Sequence, residues 1–178
     1  MATPPAQEHP MRTVRLAKIT LNIGAGEPGA KLEKSKGMME KIAGRTSIIT
    51  KVRKRNTFGG TKGRPIGVKV TIRGPEALEL LRRLLRATEN KVMFSSFDST
   101  GNFSFGVKEY INIQGVKYDP EIGILGLDVA VTLERPGYRI KRRALRQSPV
   151  GKRHQVTRQD AMDWAKAFGI QLVEKLEK

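Results

Sequence analysis

The chain has no cysteine and only two histidines, His9 and His154. Disulfides and thiolate metal sites are therefore excluded, and a structural zinc is not expected. Aromatic residues make up 6%, with a single tryptophan. No apolar run approaches the roughly 18 residues that a membrane span requires. Residues 1–11 are Pro-rich and polar without an apolar core segment, so they are read as a disordered tail and not as a secretory signal. Nothing in the composition points outside the cytoplasm.

What the sequence has in excess is positive charge, +17 over 178 residues. Its distribution says more than its size. Residues 44–73 hold nine cations and no acid, and residues 135–158 hold nine more, again with no acid. All 17 acids lie elsewhere, together with the remaining 16 cations, so the rest of the chain is nearly neutral. Two acid-free blocks on a balanced body imply a polyanionic partner, because each Lys or Arg that neutralises a phosphate releases a condensed counterion.

Hydrophobic periodicity outlines the elements. Residues 12–23 alternate through Val14, Leu16, Ile19, Leu21 and Ile23, with a slip of phase near Ala17, which predicts a strand. Pro28 suits a first helical turn; Leu32, Met38, Met39, Ile42 and Ala43 then recur at helical spacing until Gly44. Residues 47–52 and 65–72 predict two strands flanking a Gly-rich basic loop, the second with Ile66, Val68, Val70 and Ile72 on one face and Lys69 and Thr71 on the other. Pro75 opens a helix with Leu78, Leu81, Leu84 and Leu85 as its buried stripe. Strands follow at 103–107 and 127–133. Thr157 caps a last helix in which Ala161, Trp164, Ala165 and Phe168 share a face, Trp164 as core, and residues 170–173 are read as a short edge strand. This order predicts an α+β fold: an antiparallel sheet with helices on one face, leaving the other face and the basic loops for a ligand. Residues 12–178 are expected to form one RNA-binding domain, with a basic finger loop at 53–64 and a basic insertion at 135–156.

Enzyme motifs fail on inspection. Gly24, Gly26 and Gly29 fit a dinucleotide fingerprint, but the acid needed about 20 residues on is missing from a basic stretch. The glycines around Lys62 lack the Gly-Lys-Ser/Thr ending of a phosphate-binding loop. His154 sits among cations without a nucleophile, and Asp160 and Asp163 are read as helix-dipole partners. No catalytic residue, cofactor or metal is expected. Phe58 has two readings, stacking on an exposed base or pinning its loop to the body. An RNA-binding structural role leads. A DNA-binding or chromatin-like role is the alternative, disfavoured because the charge lies in loops and strands and not on a helix face suited to the major groove.

The segments LNIGAGEPG (21–29), IAGRTSIITKVRK (42–54), GRPIGVKVTIRG (63–74) and FGVKEYINIQGVKYDPEIGILGLDVAVTLERPGYRIKRR (105–143) resemble the large-subunit ribosomal protein five family. The likeness runs over about 16–168, and the second basic block resembles the archaeal and eukaryotic branch. The resemblance implies a non-enzymatic protein whose open sheet face and first helix end meet 5S rRNA in the central protuberance. It implies contacts from Asn22 in LNIG and Thr71 in KVTIRG, with Lys69 beside them. Arg45 stands where the family commonly has Gln, so phosphate remains reachable but the amide is replaced. The finger, with Arg53, Lys54, Arg55, Thr57, Phe58, Lys62 and Arg64, is implied to approach P-site tRNA. Arg135, Tyr138, Arg139, Arg142, Arg143, Lys152 and Arg153 are the expected further rRNA contacts. Neighbouring central-protuberance proteins, large-subunit rRNA and a small-subunit head protein are implied partners, with no membrane.

Overall fold

The computed structural model describes residues 9–26, 28–55, 61–116, 118, 120 and 123–174. In chain order its elements are β1 (Arg15–Gly24), α1 (Ala30–Ala43), β2 (Ile48–Lys51), β3 (Pro65–Ile72), α2 (Pro75–Arg86), β4 (Lys91–Met93), β5 (Phe103–Val107), β6 (Leu127–Glu134), α3 (Arg158–Phe168) and β7 (Gln171–Val173). Pro10–Arg12 forms a short 3-10 turn at the end of the expected tail; residues 1–8 of that tail lie outside the described residues.

Five strands make one sheet in the order β2-β3-β1-β6-β5, every pair antiparallel. The phase slip at Ala17 is a bulge in β1, where the register against β6 shifts between Leu16 and Lys18. Beyond it Ile19, Leu21 and Ile23 point into the core beside Val68, Val70 and Ile72 of β3 and Val129, Val131 and Leu133 of β6. The apolar faces of α1, α2 and α3 join the same core through Met38, Met39, Leu81, Leu84, Ala161 and Ala165. Burial of each large aliphatic side chain there stabilises the fold by about 1.5–3 kcal/mol.

Local signals explain the helix ends. Gly44 takes the left-handed conformation at φ 64° and donates its N–H to Glu40, stopping α1. Thr157 and Asp160 form a reciprocal capping box at the start of α3. Three expectations are corrected. Gly29, not Pro28, precedes α1, so Pro28 lies outside the helix. Leu78 is partly exposed and Leu80 is buried in its place, because Ala77, Leu81 and Leu84 centre the stripe and position 78 falls at its margin. Ile66 is exposed because β3 outruns β1 there: Gly24 pairs Gly67, and the chain beyond turns back so that Ala25 and Gly26 donate to the Ile66 carbonyl.

The expected C-terminal strand is present as β7. It runs parallel to β4, an element with too few residues to show a pattern, and the two form a separate two-stranded sheet. Trp164 is half-buried, stacked on Phe168 at 5.1 Å and tilted against Phe103 at 6.4 Å. Among the described residues no helix is long and apolar enough to cross a membrane.

Candidate nucleic-acid interface

Alternation along each strand places a second set of residues on the sheet face opposite the core. The ladder then brings them together: Ile48 pairs Lys69, Lys69 pairs Asn22, Asn22 pairs Asp128, and Asp128 pairs Gly106, forming one row across all five strands. The adjacent row runs Thr71, Thr20, Ala130 and Ser104. Side chains directly opposite in such a ladder lie about 4.5–5.5 Å apart. Asn22 and Lys69 are therefore neighbours, and Thr71 and Thr20 sit one row along. Apart from Lys69 and Ile48, which is 65% exposed, the side chains of these two rows are small, and most are polar. A flat surface of this kind lets a sugar-phosphate backbone come close to the strands.

Arg45 is held apart from that cluster. It lies in the turn between α1 and β2, and its Nε and one terminal nitrogen donate to Glu76 Oε2 at 2.9 and 2.7 Å, with both side chains largely in solvent. Arg45 is thus paired to the first turn of α2. An exposed pair of this kind holds weakly, about 0–1 kcal/mol, so phosphate can compete for the guanidinium. Behind Arg45, Glu40 accepts from the backbone N–H and hydroxyl of buried Ser47, both at 3.0 Å. The Ser47 backbone N–H, then its hydroxyl, hold the Glu40 carboxyl below its ordinary pKa.

At the base of the expected finger the β2–β3 hairpin forms a closed neck. Val52 donates to Arg64 O and Gly63 to Val52 O, both at 2.9 Å. Arg53, Lys54, Arg55 and Lys62 are exposed and Arg64 is half-buried. Thr57 and Phe58 lie outside the described residues.

The second basic block is folded on itself, which divides its seven expected contact residues. Arg135 turns inward: it pairs with Asp160 at 2.9 Å and reaches the carbonyls of Gln155 and Arg153 at 3.4 and 3.5 Å, while its Nε is buried without a partner. Tyr138 accepts the Val156 N–H at 2.9 Å and packs beside His154, whose Nε2 lies 2.8 Å from Pro136 O. Arg142 forms an ion pair with Glu134, and Arg143 donates to Arg146 O at 2.7 Å. Arg139, Lys152 and Arg153 are exposed. Arg135 and Tyr138 are thus bracing residues of the block, a role that spacing alone does not reveal.

The cations of α2 are also engaged. Arg82 stacks over the Phe168 ring at 5.6 Å, Arg83 donates to Gln114 O, and Arg86 donates to Gln114 Oε1. Arg82 thus packs α2 against α3, Arg83 and Arg86 fasten the loop at Gln114 to α2, and all three have protein partners on the helix face that a major groove would need. Sequence reasoning missed Thr20, Ile48, Ser104 and Asp128 on the open face. The alternation of Leu127, Val129, Val131 and Leu133 was the signal that could have found Asp128.

Sheet, open face and acid-free arms define an α+β protein with a surface made to meet a polyanion. Residues 65–164 match the family described as ribosomal L5P family C-terminus, and residues 9–57 match Ribosomal protein L5. The chain is 46% identical over 169 residues to the large ribosomal subunit protein uL5 of Nanoarchaeum equitans, covering 93% of this chain and 99% of that protein. It is also 46% identical to the uL5 proteins of Sulfurisphaera tokodaii (93% of this chain, 96% of the relative) and Nitrosopumilus maritimus (92% and 95%). The chain belongs to the L5 family of large-subunit ribosomal proteins. Membership places it among the structural, non-enzymatic proteins of the cytoplasmic ribosome.

Proposed function

We propose that this protein attaches 5S rRNA within the central protuberance of the large subunit. The observation that carries the reading is the register of the open face, which sets the amide of Asn22 beside the ammonium of Lys69, with Thr20 and Thr71 one row along. Amide and hydroxyl groups fix register on phosphate and ribose, while Lys69 and the basic blocks supply the charge term. Residues 12–178 act as one RNA-binding unit. The finger at 53–64 reaches P-site tRNA, and Arg139, Arg143, Lys152 and Arg153 grip large-subunit rRNA. Arg135 and Tyr138 serve that grip by bracing the block. Contacts to neighbouring central-protuberance proteins and to a small-subunit head protein complete the set of partners.

Competition binding tests this. The purified chain should select 5S rRNA over duplex DNA and over unrelated RNA of equal length. If the blocks engage roughly 6–10 phosphates, affinity should fall about 10³–10⁵-fold between roughly 50 and 200 mM salt. Replacing Arg53, Lys54 and Arg55 by Ala should spare 5S rRNA binding and reduce cross-linking to tRNA in assembled ribosomes. Equal affinity for DNA, or a flat salt dependence, contradicts the reading.

A further inference from the structure

We propose that Asp128 reads a base on the RNA face, accepting a hydrogen bond from the exocyclic N2 amino group of a guanine. The inference rests on the RNA-binding reading above and concerns which chemical groups the face selects.

The open face is electrically lopsided. Its β3 side carries Lys69 and Thr71 and continues into the cations of the finger; its β5 side carries Asp128, Ala130, Ser104 and Gly106 in these two rows, with cations only beyond them, Lys18 and the Glu134-paired Arg142 further along the strands and Lys108 past the end of β5. Lys69 and Asp128 stand two strand spacings apart with Asn22 between them, roughly 10 Å. A nucleotide whose phosphate rests on Lys69 therefore extends its sugar and base toward Asp128. The reverse orientation would set phosphate against carboxylate.

Asp128 is a conspicuous choice for this position. Asp is a poor strand former, and in a chain of +17 an exposed carboxylate has many possible cationic partners. The other acid on the same face of β6, Glu134, is paired with Arg142. Asp128 makes no ion pair or hydrogen bond among the described residues. Its Oδ1 leans toward Gly106, 3.8 Å from where a Cβ at that position would stand, so nothing larger than hydrogen fills the space beside it.

A carboxylate only accepts hydrogen bonds. In the minor groove of paired nucleic acid the one base donor is the guanine N2 amino group, and the A-form minor groove is wide and shallow enough for a flat sheet to meet. Asp128 thereby favours guanine and disfavours any register that brings phosphate to β6. The small side chains of Ala130 and Ser104 permit that approach.

Analogue interference tests the proposal. 5S rRNA carrying a low level of phosphorothioate-tagged inosine, which lacks only the N2 amino group, is selected by wild-type protein, Asp128→Ala and Asp128→Asn. Wild type should exclude inosine at one or a few guanosines, by about 5- to 150-fold for a good base contact. The exclusion should vanish with Asp128→Ala and weaken with Asp128→Asn, which keeps one acceptor oxygen and the strand geometry. Tolerance of inosine everywhere by wild type, or the same exclusion in all three proteins, overturns the proposal. So does uniformly tighter binding by both variants with an unchanged pattern, which is the signature of relieved repulsion. Failure of wild type to prefer 5S rRNA over unrelated RNA overturns the RNA assignment itself, a separate result.

Discussion

One carboxylate oxygen of Asp160 serves Arg135 and the cap of its own helix together. Oδ2 accepts from the Arg135 guanidinium, from the Thr157 N–H and from the Thr157 hydroxyl, each at 2.9 Å. The arginine that begins the basic block is therefore tied to the first turn of the helix that follows the block. Asp160→Ala should remove the reciprocal half of the capping box, leaving the Thr157 hydroxyl as the cap, and strand a largely buried cation, destabilising the protein by about 2–4 kcal/mol. Arg135→Met, which removes the charge and keeps the bulk, should cost less. Urea unfolding midpoints at constant m-value measure both; equal losses would mean that the pair does not couple block and helix.

Gly101 sits over Val156, the buried residue that ends the block. Its φ is +79°, and an added Cβ would meet Val156 Cγ1 at 2.4 Å. Gly101→Ala should destabilise by about 2–4 kcal/mol through backbone strain and overpacking. In a double-mutant cycle, Val156→Ala should recover part of that loss. Strict additivity would show that the contact is relieved elsewhere.

On the open face, Lys69→Ala and Asn22→Ala should separate charge from register. Both weaken RNA binding without shifting thermal stability, since both side chains lie on the face opposite the core. Lys69→Ala should reduce the slope of log affinity against log salt by about 1, whereas Asn22→Ala should lower affinity with the slope unchanged. Identical slopes for both variants would remove Lys69 from the phosphate contacts.

Acid should loosen the turn that carries Arg45. Glu40 has a lowered folded-state pKa because Ser47 donates to its carboxylate, first from the backbone and then from the hydroxyl. Asp98 is lowered in the same direction, chiefly by the Thr100 hydroxyl and then by the Ser99 backbone N–H. A depressed carboxyl pKa contributes stability that is present above the unfolded value and lost as pH falls through the folded one. Stability should therefore fall as pH drops below the ordinary carboxylate range. Glu40→Gln and Asp98→Asn should each flatten that fall, read as urea midpoints against pH.

The sequence disclosed what local chemistry decides. Gly44 as a helix stop, Thr157 as a cap, the bulge at Ala17 and the alternation of β6 depend on residues a few positions apart, and their patterns are plain. Properties that depend on distant partners were not legible. Arg135, Arg142 and Arg139 look alike in a basic run, yet Asp160 and Glu134 engage the first two and Arg139 is exposed. The three residues of β4 are too few to show a period, and their parallel partner β7 lies some eighty residues on. The adjacency of Asn22 and Lys69 is a matter of strand register, which alternation constrains to one face but does not fix by itself.

Strand order also sets a timetable for synthesis. β6 lies between β1 and β5, yet it is the last of the five sheet strands to be made. Until residue 134 has left the ribosome that is translating it, β2, β3 and β1 can pair only with one another, and β5 has no neighbour in the main sheet. Joining β1 to β6 closes a loop of more than a hundred residues, the kind of long-range pairing that slows folding. A nascent chain interrupted before β6 would display the Lys69 half of the face without the Asp128 half. It would keep Lys69, Asn22 and Thr71 together and lack only the carboxylate side of the face.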